Sequence, residues 1–527
     1  MAIGTFLRVA LHRDRILLPA SIGGLAAMAA LSSSATVGLY PDVASRVGAA
    51  DLINGSAALV ALYGRLYDPT SLGALAMVKM GGFGSVFVAM LAIVVVVRHT
   101  RADEESGRLE LLAAGPVGRA APLAAALAEV LVASVALAAL TALGLWATGL
   151  PLAGSLAFGL AWGSVGVSFG AVAAVAAQLT SSARTATAIS ATVLAVTYLL
   201  RGLGDISDAA ALAWLRWASP VGWALQVRPF AGDRLWVLAI PAAFAVAASA
   251  LASSLSDRRD LGTGLIGAGS GPAGAAPALR GPFGLAWRLH RGSVVGWSVG
   301  FTLLGALVGS LAADVADYAN NERARELFQQ LGGQAALTDA YLSLELVVAG
   351  MVAAAFGVAA VLRLRTEEVE LRAEPVLAGA VSRLRWAGGH VLIAVAGSAA
   401  LVVLGGAAAA VAHAVRTGDL AVAPPVVGAA LAQVPAVWVV VASAWAVVGV
   451  APRWSTVAWG AFATFVVLAE LGPLLGLPQW LIDLSPFGHA VGLPGGPVPV
   501  AALGALATVA AGLAVIGAVG LRRRDLG

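Results

Sequence analysis

Apolar runs of about twenty residues recur along the whole chain, separated by charged or Gly- and Pro-rich stretches. About twenty residues is what a helix needs to cross a bilayer. The runs predict spans at about 16–39, 80–97, 122–148, 155–179, 185–200 and 235–253, then 292–312, 342–362, 387–412, 424–449, 455–475 and 498–520. They are continuous rather than alternating, which excludes the dyad pattern of a membrane β-barrel. The pattern therefore predicts an all-α polytopic membrane protein of about 12 transmembrane helices, built as two tandem six-helix halves with pseudo-two-fold symmetry. The first half is 1–253 and the second 287–527. Residues 254–286, rich in Gly, Ala, Pro and Ser, read as a linker. Six spans per half put both halves in the same orientation. No small-residue cleavage site follows a short apolar core at the N-terminus, so no removed signal peptide is expected.

The polar stretches carry the repeat. Between the second and third spans lies RHTRADEESGRLELLAAGPVGR, Arg98 to Arg119, and between the eighth and ninth lies RLRTEEVELRAEPVLAGAVSR, Arg363 to Arg383. Arg108, Glu110 and Arg119 match Arg372, Glu374 and Arg383 at an offset of 264. Glu104 and Glu105 match Glu367 and Glu368 at 263, which implies one inserted residue. Both stretches read as short helices lying on one membrane face. Asp103 to Glu105 would occupy the first turn of the first, where the helix dipole favours acids. Glu104 and Arg108 would pair at four-residue spacing, above an apolar base of Leu109 and Leu112. Glu368 and Arg372 have the same spacing in the second copy, but Pro375 removes a backbone donor and should cut that helix short. A second repeated element follows the fifth and eleventh spans: WLRWASPVGWAL and LIDLSPFGHAVG place Ser219-Pro220 and Ser485-Pro486 266 residues apart.

Composition narrows the class further. The chain is 60% hydrophobic and 11% charged, with a mean hydropathy of +0.89, against about a quarter charged in a soluble domain. It has no cysteine, which removes disulfide and thiolate chemistry, and Lys79 is its single lysine. Its basic pI does not argue for nucleic acid, because the arginines sit at span ends, where membrane topology accounts for them. With the N-terminus inside, 22 basic residues fall on the inner side and 10 on the outer. Basic residues favour the cytoplasm, so both termini, the linker and both EE-containing stretches are expected there, in a multi-pass protein of the cell membrane. The Ser-Pro segments then lie outside.

Three acids fall within predicted spans: Glu129, Glu345 and Glu470. Intramembrane ionisable groups point to function, and Glu129, alone in an apolar span, is the cavity candidate. Glu345 and Glu470 lie near outer ends and can reach water. Asp205/Asp208 and Asp314/Asp317 have the spacing of metal-binding pairs but sit beside arginines at span ends, where solvated ends are expected. His413, His489 and the other histidines are scattered without metal-ligand spacing. No catalytic residues, no metal and no resident cofactor are expected.

The first charged stretch, EESGRLELLAAGPVGR, resembles the coupling-helix motif of the second type of ABC exporter permease, roughly E-x-G-x-x-E-x-L-x-A-x-P-x-S-R. The second copy departs from it, with Leu371 for the glycine and Ala380 for the proline. The Ser-Pro segments are similar to that family's outside re-entrant helices. The fused full-length arrangement resembles actinobacterial permeases known as exporters of polyketide-type antibiotics. That resemblance implies a transport subunit for a hydrophobic or amphipathic, antibiotic- or lipid-like compound, working with two copies of a separate ATPase that binds ATP and Mg. Glu104, Glu105, Arg108, Glu110 and Arg119, with Glu367, Glu368, Arg372, Glu374 and Arg383, would be its docking residues. The chain itself contains no G-x-x-x-x-G-K-[ST] loop. Two alternatives stand beside this reading. An ion-coupled twelve-span secondary exporter would need matched acids at mid-membrane in the two halves. A membrane-embedded transferase would need metal-dependent activity from the Asp pairs.

Overall fold

In the computed structural model, residues 2–109, 118, 120–206, 210–266, 274, 276–279, 281–318, 333–470, 477–490 and 492–524 are described. The chain divides into two compact units, Met1–Gly271 and Pro272–Gly527. Among the described residues there is no strand.

The first unit opens with α1 (Ala2–Arg13) and α2 (Leu17–Leu39). Two short helices, α3 (Val43–Gly55) and α4 (Ala57–Tyr63), fill much of the polar stretch that follows. Each starts at a side-chain cap: Asp42 accepts from the Ser45 N–H and Ser56 from the Leu59 N–H. The long α5 (Leu72–Glu105) begins at a third cap, Ser71, eight residues before the predicted span. It contains two π-helical turns, Met80–Gly84 and Arg98–Ala102. Helices α6 (Ala121–Ala147), α7 (Leu152–Leu179), α8 (Ala183–Ile206), the short α9 (Pro220–Gln226) and α10 (Leu235–Asp257) complete the unit. Its core gathers on α5 and α7, with Ile93, Val96, Trp162 and Phe169 each at most 1% exposed. Small residues let these helices approach closely. A Cβ on Gly159 of α7 would lie 2.3 Å from the carbonyl oxygen of Ala138 on α6, so only glycine fits that crossing.

The second unit repeats the plan with α11 (Pro282–Tyr318), α12 (Gly333–Val369), the four-residue α13 (Glu374–Leu377), α14 (Arg383–Thr417), α15 (Leu420–Val450), α16 (Val457–Glu470) and α17 (Val500–Arg523). Its core lies on α12 and α15, around Phe356, Val361, Val441 and Trp445. On α11, Gly309 stands so close to α14 that a Cβ would meet the Ala409 carbonyl oxygen at 2.0 Å.

Among the described residues, eleven helices are long and apolar enough to cross a membrane. The eleventh predicted span, 455–475, corresponds to α16, which has 14 residues, and residues 471–476 lie outside the described residues. The central helices of each unit are the most enclosed: the apolar window of α7 is 72% buried and that of α17 is 17% buried. With no water in a bilayer core, outward faces of this kind are apolar, as Leu131, Val135 and Leu143 of α6 are.

Candidate functional site

The acid pairs of both charged stretches lie in the last turns of the long helices, and in the second stretch the short α13 follows. In the first, α5 runs on through the π-turn to Glu105, because nothing stops it before Gly107, which adopts φ +71°. Asp103, Glu104 and Glu105 therefore close a helix instead of opening one. In the second, α12 runs to Val369, and Leu371 takes up φ +57° at the position equivalent to Gly107. Pro375 then lies in the first turn of α13, where its missing N–H costs no hydrogen bond. It starts a helix and breaks none.

The acids expected to dock a partner do two different jobs. Glu104 does not pair with Arg108. Its carboxylate, 6% exposed, is held by Arg101 Nη1 at 2.7 Å and by Arg259 Nη2 at 2.5 Å. The Arg101 guanidinium is fully buried and also donates to the carbonyls of Ala177, through Nε at 2.9 Å, and Thr263, at 3.1 Å. Arg259 donates through Nε to Gln178 Oε1 at 2.7 Å. The Leu265 and Ile266 N–H groups bond the carbonyls of Gln178 and Leu179. Glu104 thus fastens the end of α5 to the end of α7 and to the segment after α10. Arg108, with its side chain 62% exposed, pairs instead with Asp103 at 3.3 Å, whose other oxygen takes Arg13 at 2.7 Å.

The second unit builds the same clamp. Glu368, 5% exposed, is held by Arg365 Nη1 at 3.1 Å and by Arg524 Nη2 at 2.5 Å. The Arg524 carbonyl in turn accepts from Arg383 Nη1 at 2.5 Å. Glu367 pairs with Arg363 at 3.5 Å and Arg372 at 3.7 Å. These pairings correct the alignment of the repeat. Arg101/Arg365, Asp103/Glu367, Glu104/Glu368 and Arg108/Arg372 all match at 264 with no insertion. The doublet of glutamates disguised this, because Glu105 corresponds to Val369 and not to an acid. Glu105, Arg372 and Glu374 are exposed. Glu110, Leu112 and Arg119 lie outside the described residues.

Both Ser-Pro segments are buried at the serine. Ser219 caps α9 by accepting from the Gly222 N–H, with Pro220 in the first turn. Ser485 donates to the Phe465 carbonyl at 2.8 Å, and a single-turn 3-10 helix, Pro486–Ala490, follows. Asp205 is not a solvated span end. It is 2% exposed and lies 3.3 Å from Arg201, which is fully buried and donates to the Ala61 carbonyl at 2.7 Å. Asp208 falls outside the described residues. Glu129, the one charged residue of α6, is fully buried and faces His99 Nε2 of α5 at 3.4 Å.

The sequence reading missed Arg101, Arg259, Arg365 and Arg524. One signal for them was available: extending the 264 offset back to Arg101 and Arg365 exposes an arginine three residues before each clamped glutamate.

Stacked apolar helices with buried ion pairs at their ends define a polytopic helical membrane protein. Residues 279–522 match the family described as multidrug efflux system permease Rv1217c, C-terminal domain. The chain is also 45% identical over 523 residues, 99% of its own length and 94% of the relative's, to the multidrug efflux system permease protein Rv1217c of Mycobacterium tuberculosis (strain ATCC 25618 / H37Rv). The chain belongs to this permease family.

Proposed function

We propose that the chain is the membrane-spanning subunit of an ATP-driven exporter that moves a hydrophobic or amphipathic compound, drug-like or lipid-like, out of the cell. The observation that carries this reading is the relative, named a multidrug efflux system permease, which aligns with 99% of the chain. Separate ATPase subunits, two per permease, bind ATP and Mg and supply the energy, since the chain has no P-loop. They dock on the exposed parts of the two charged stretches, Glu105, Arg108 and Glu110 in one and Arg372 and Glu374 in the other. Glu104 and Glu368 keep the helix ends beneath those surfaces rigid, so that force applied outside reaches α5 and α12. A cavity of about 770 Å³ in the second unit supports an amphipathic cargo. It is lined by Leu344, Val347 and Phe487 and by the carboxylates Asp339 and Glu470, the mixed lining of a small-molecule site.

The test is co-purification with a P-loop ATPase produced in the same cells. The complex should hydrolyse ATP faster when an amphipathic drug is added, and the chain alone should hydrolyse none. Export that persists after the partner's P-loop lysine is replaced, and that collapses with the proton gradient, would overturn this reading in favour of an ion-coupled exporter. Orientation is tested separately: cysteines at Ser106 and Ser382 should resist an impermeant label in intact cells, while cysteines at Ser207 and Gln334 should react.

A further inference from the structure

Three side chains from distant parts of the sequence converge at one end of the first unit. Asp14 lies in the turn between α1 and α2, His99 in the second π-turn of α5, and Glu129 just over two turns into α6. All three are buried, Asp14 and Glu129 completely. His99 Nε2 lies 2.8 Å from Asp14 Oδ2 and 3.4 Å from Glu129 Oε2, and one donor atom of each residue is within 4.8 Å of the others. Neither carboxylate oxygen of Glu129 has a hydrogen-bond partner among the described residues. A carboxylate shut away from water without a counter-charge is strongly unfavourable, so a proton or a cation must neutralise it, and the grouping of three ligand-type side chains suits a cation. The nearby arginines serve other atoms: Arg98 approaches Asp14 Oδ1 at 3.2 Å, and Arg13 is bonded to Asp103.

We propose that Asp14, His99 and Glu129 bind one divalent transition-metal ion of the Zn²⁺ type. Ligand atoms at about 2.0–2.1 Å in a tetrahedral shell stand about 3.4 Å apart. The His99–Glu129 separation already has this value, and Asp14, on a turn, needs to withdraw by about half an ångström to match it. One imidazole with two carboxylates suits Zn²⁺ and its neighbours better than Mg²⁺ or Ca²⁺. Arg98, on the far oxygen of Asp14, supplies the outer contact that orients a ligating carboxylate. Access is through an opening of about 330 Å³ lined by Phe6, Arg13, His99 and Asp103. The site belongs to the first unit alone, because the 264 offset places Arg363 and Ile393 where His99 and Glu129 stand. The ligands lie 85 and 30 residues apart, so no local spacing announces them. A bound ion would pin α1 to α5 and α6 beside the Glu104 clamp.

The experiment is a titration of the purified full-length chain, stripped with chelator, with Co²⁺ and then Zn²⁺. One equivalent of Co²⁺ should produce the visible absorption of a low-coordinate site, and Zn²⁺ should displace it. Glu129→Gln and His99→Gln should each weaken binding at least tenfold, with monodispersity in detergent as the folding check. A double variant at the other buried histidine pair, His290→Gln with His390→Gln, should bind as the parent does. A stripped parent that takes up no Co²⁺ would overturn the proposal, as would uptake that survives both His99→Gln and Glu129→Gln. Binding is read without transport, so the outcome is independent of cargo and energy source.

Discussion

The two glutamate clamps are one joint built twice, and the differences between them lie in its surroundings. In each, a carboxylate in the last turns of a long helix sits between an arginine three residues earlier and an arginine after the last helix of the unit. In the first unit the earlier arginine is fully buried and also binds backbone carbonyls, whereas Arg365 is 24% and Arg524 12% exposed. The first chain reversal uses glycine at a positive φ, and the second forces leucine into it. The first joint is therefore drier and less strained, and the second wetter and more strained. A buried ion pair is costly to break because the surviving charge stays buried, and that cost falls as water reaches the pair.

The largest expected effect follows from this. Glu104→Ala leaves Arg101 and Arg259 without their counter-charge and should cost about 3–5 kcal/mol of stability, read as lost monodisperse yield and a lower unfolding midpoint in detergent. Glu368→Ala should cost clearly less. Equal losses would show that the greater enclosure of the first clamp has no energetic weight.

Next in size is the effect on coupling. Reversing the charge of Glu105 and Glu110 together should reduce ATPase pull-down and export while leaving insertion intact. Reversal of Arg372 and Glu374, the counterparts of Arg108 and Glu110, probes the second surface. Undiminished binding in both would reduce the stretches to ordinary connections between spans.

The smallest effect concerns the reversals. A non-glycine residue in the left-handed region is strained by about 1–2 kcal/mol. Leu371→Gly should raise the unfolding midpoint slightly and Gly107→Leu should lower it by more. A Leu371→Gly variant no more stable than the parent would mean that its side chain offsets the strain through contacts.

The helical architecture and most spans were legible in the sequence, because a bilayer demands about twenty apolar residues whatever else the chain does. Helix ends were less so. Ser71 and the polar residues beyond Val97 extend α5 well past its apolar centre, and hydropathy does not register caps. The clamps were hidden because Glu104 meets an arginine 155 residues away. The pairing with Arg108, inferred from a four-residue spacing, fails because the helix has already ended at Glu105. Glu129 stood out as an acid in an apolar span, but its neighbours Asp14 and His99 come from stretches that read simply as charged.

The π-turns of α5 carry a further implication. Each adds about one residue to a helical turn, which twists everything beyond it by about 100° relative to an unbroken α-helix. Two of them, at Met80–Gly84 and Arg98–Ala102, set the angle at which Arg101 and Glu104 emerge, whereas α12 reaches Glu368 as α-helix throughout its described length. The first helix is thus a keyed shaft and the second a plain one. Losing one residue within Met80–Gly84 would leave α5 apolar, helical and long enough to span, yet would swing Arg101 away from the Ala177 carbonyl. The number of residues inside that short turn therefore sets the facing of everything α5 carries beyond it.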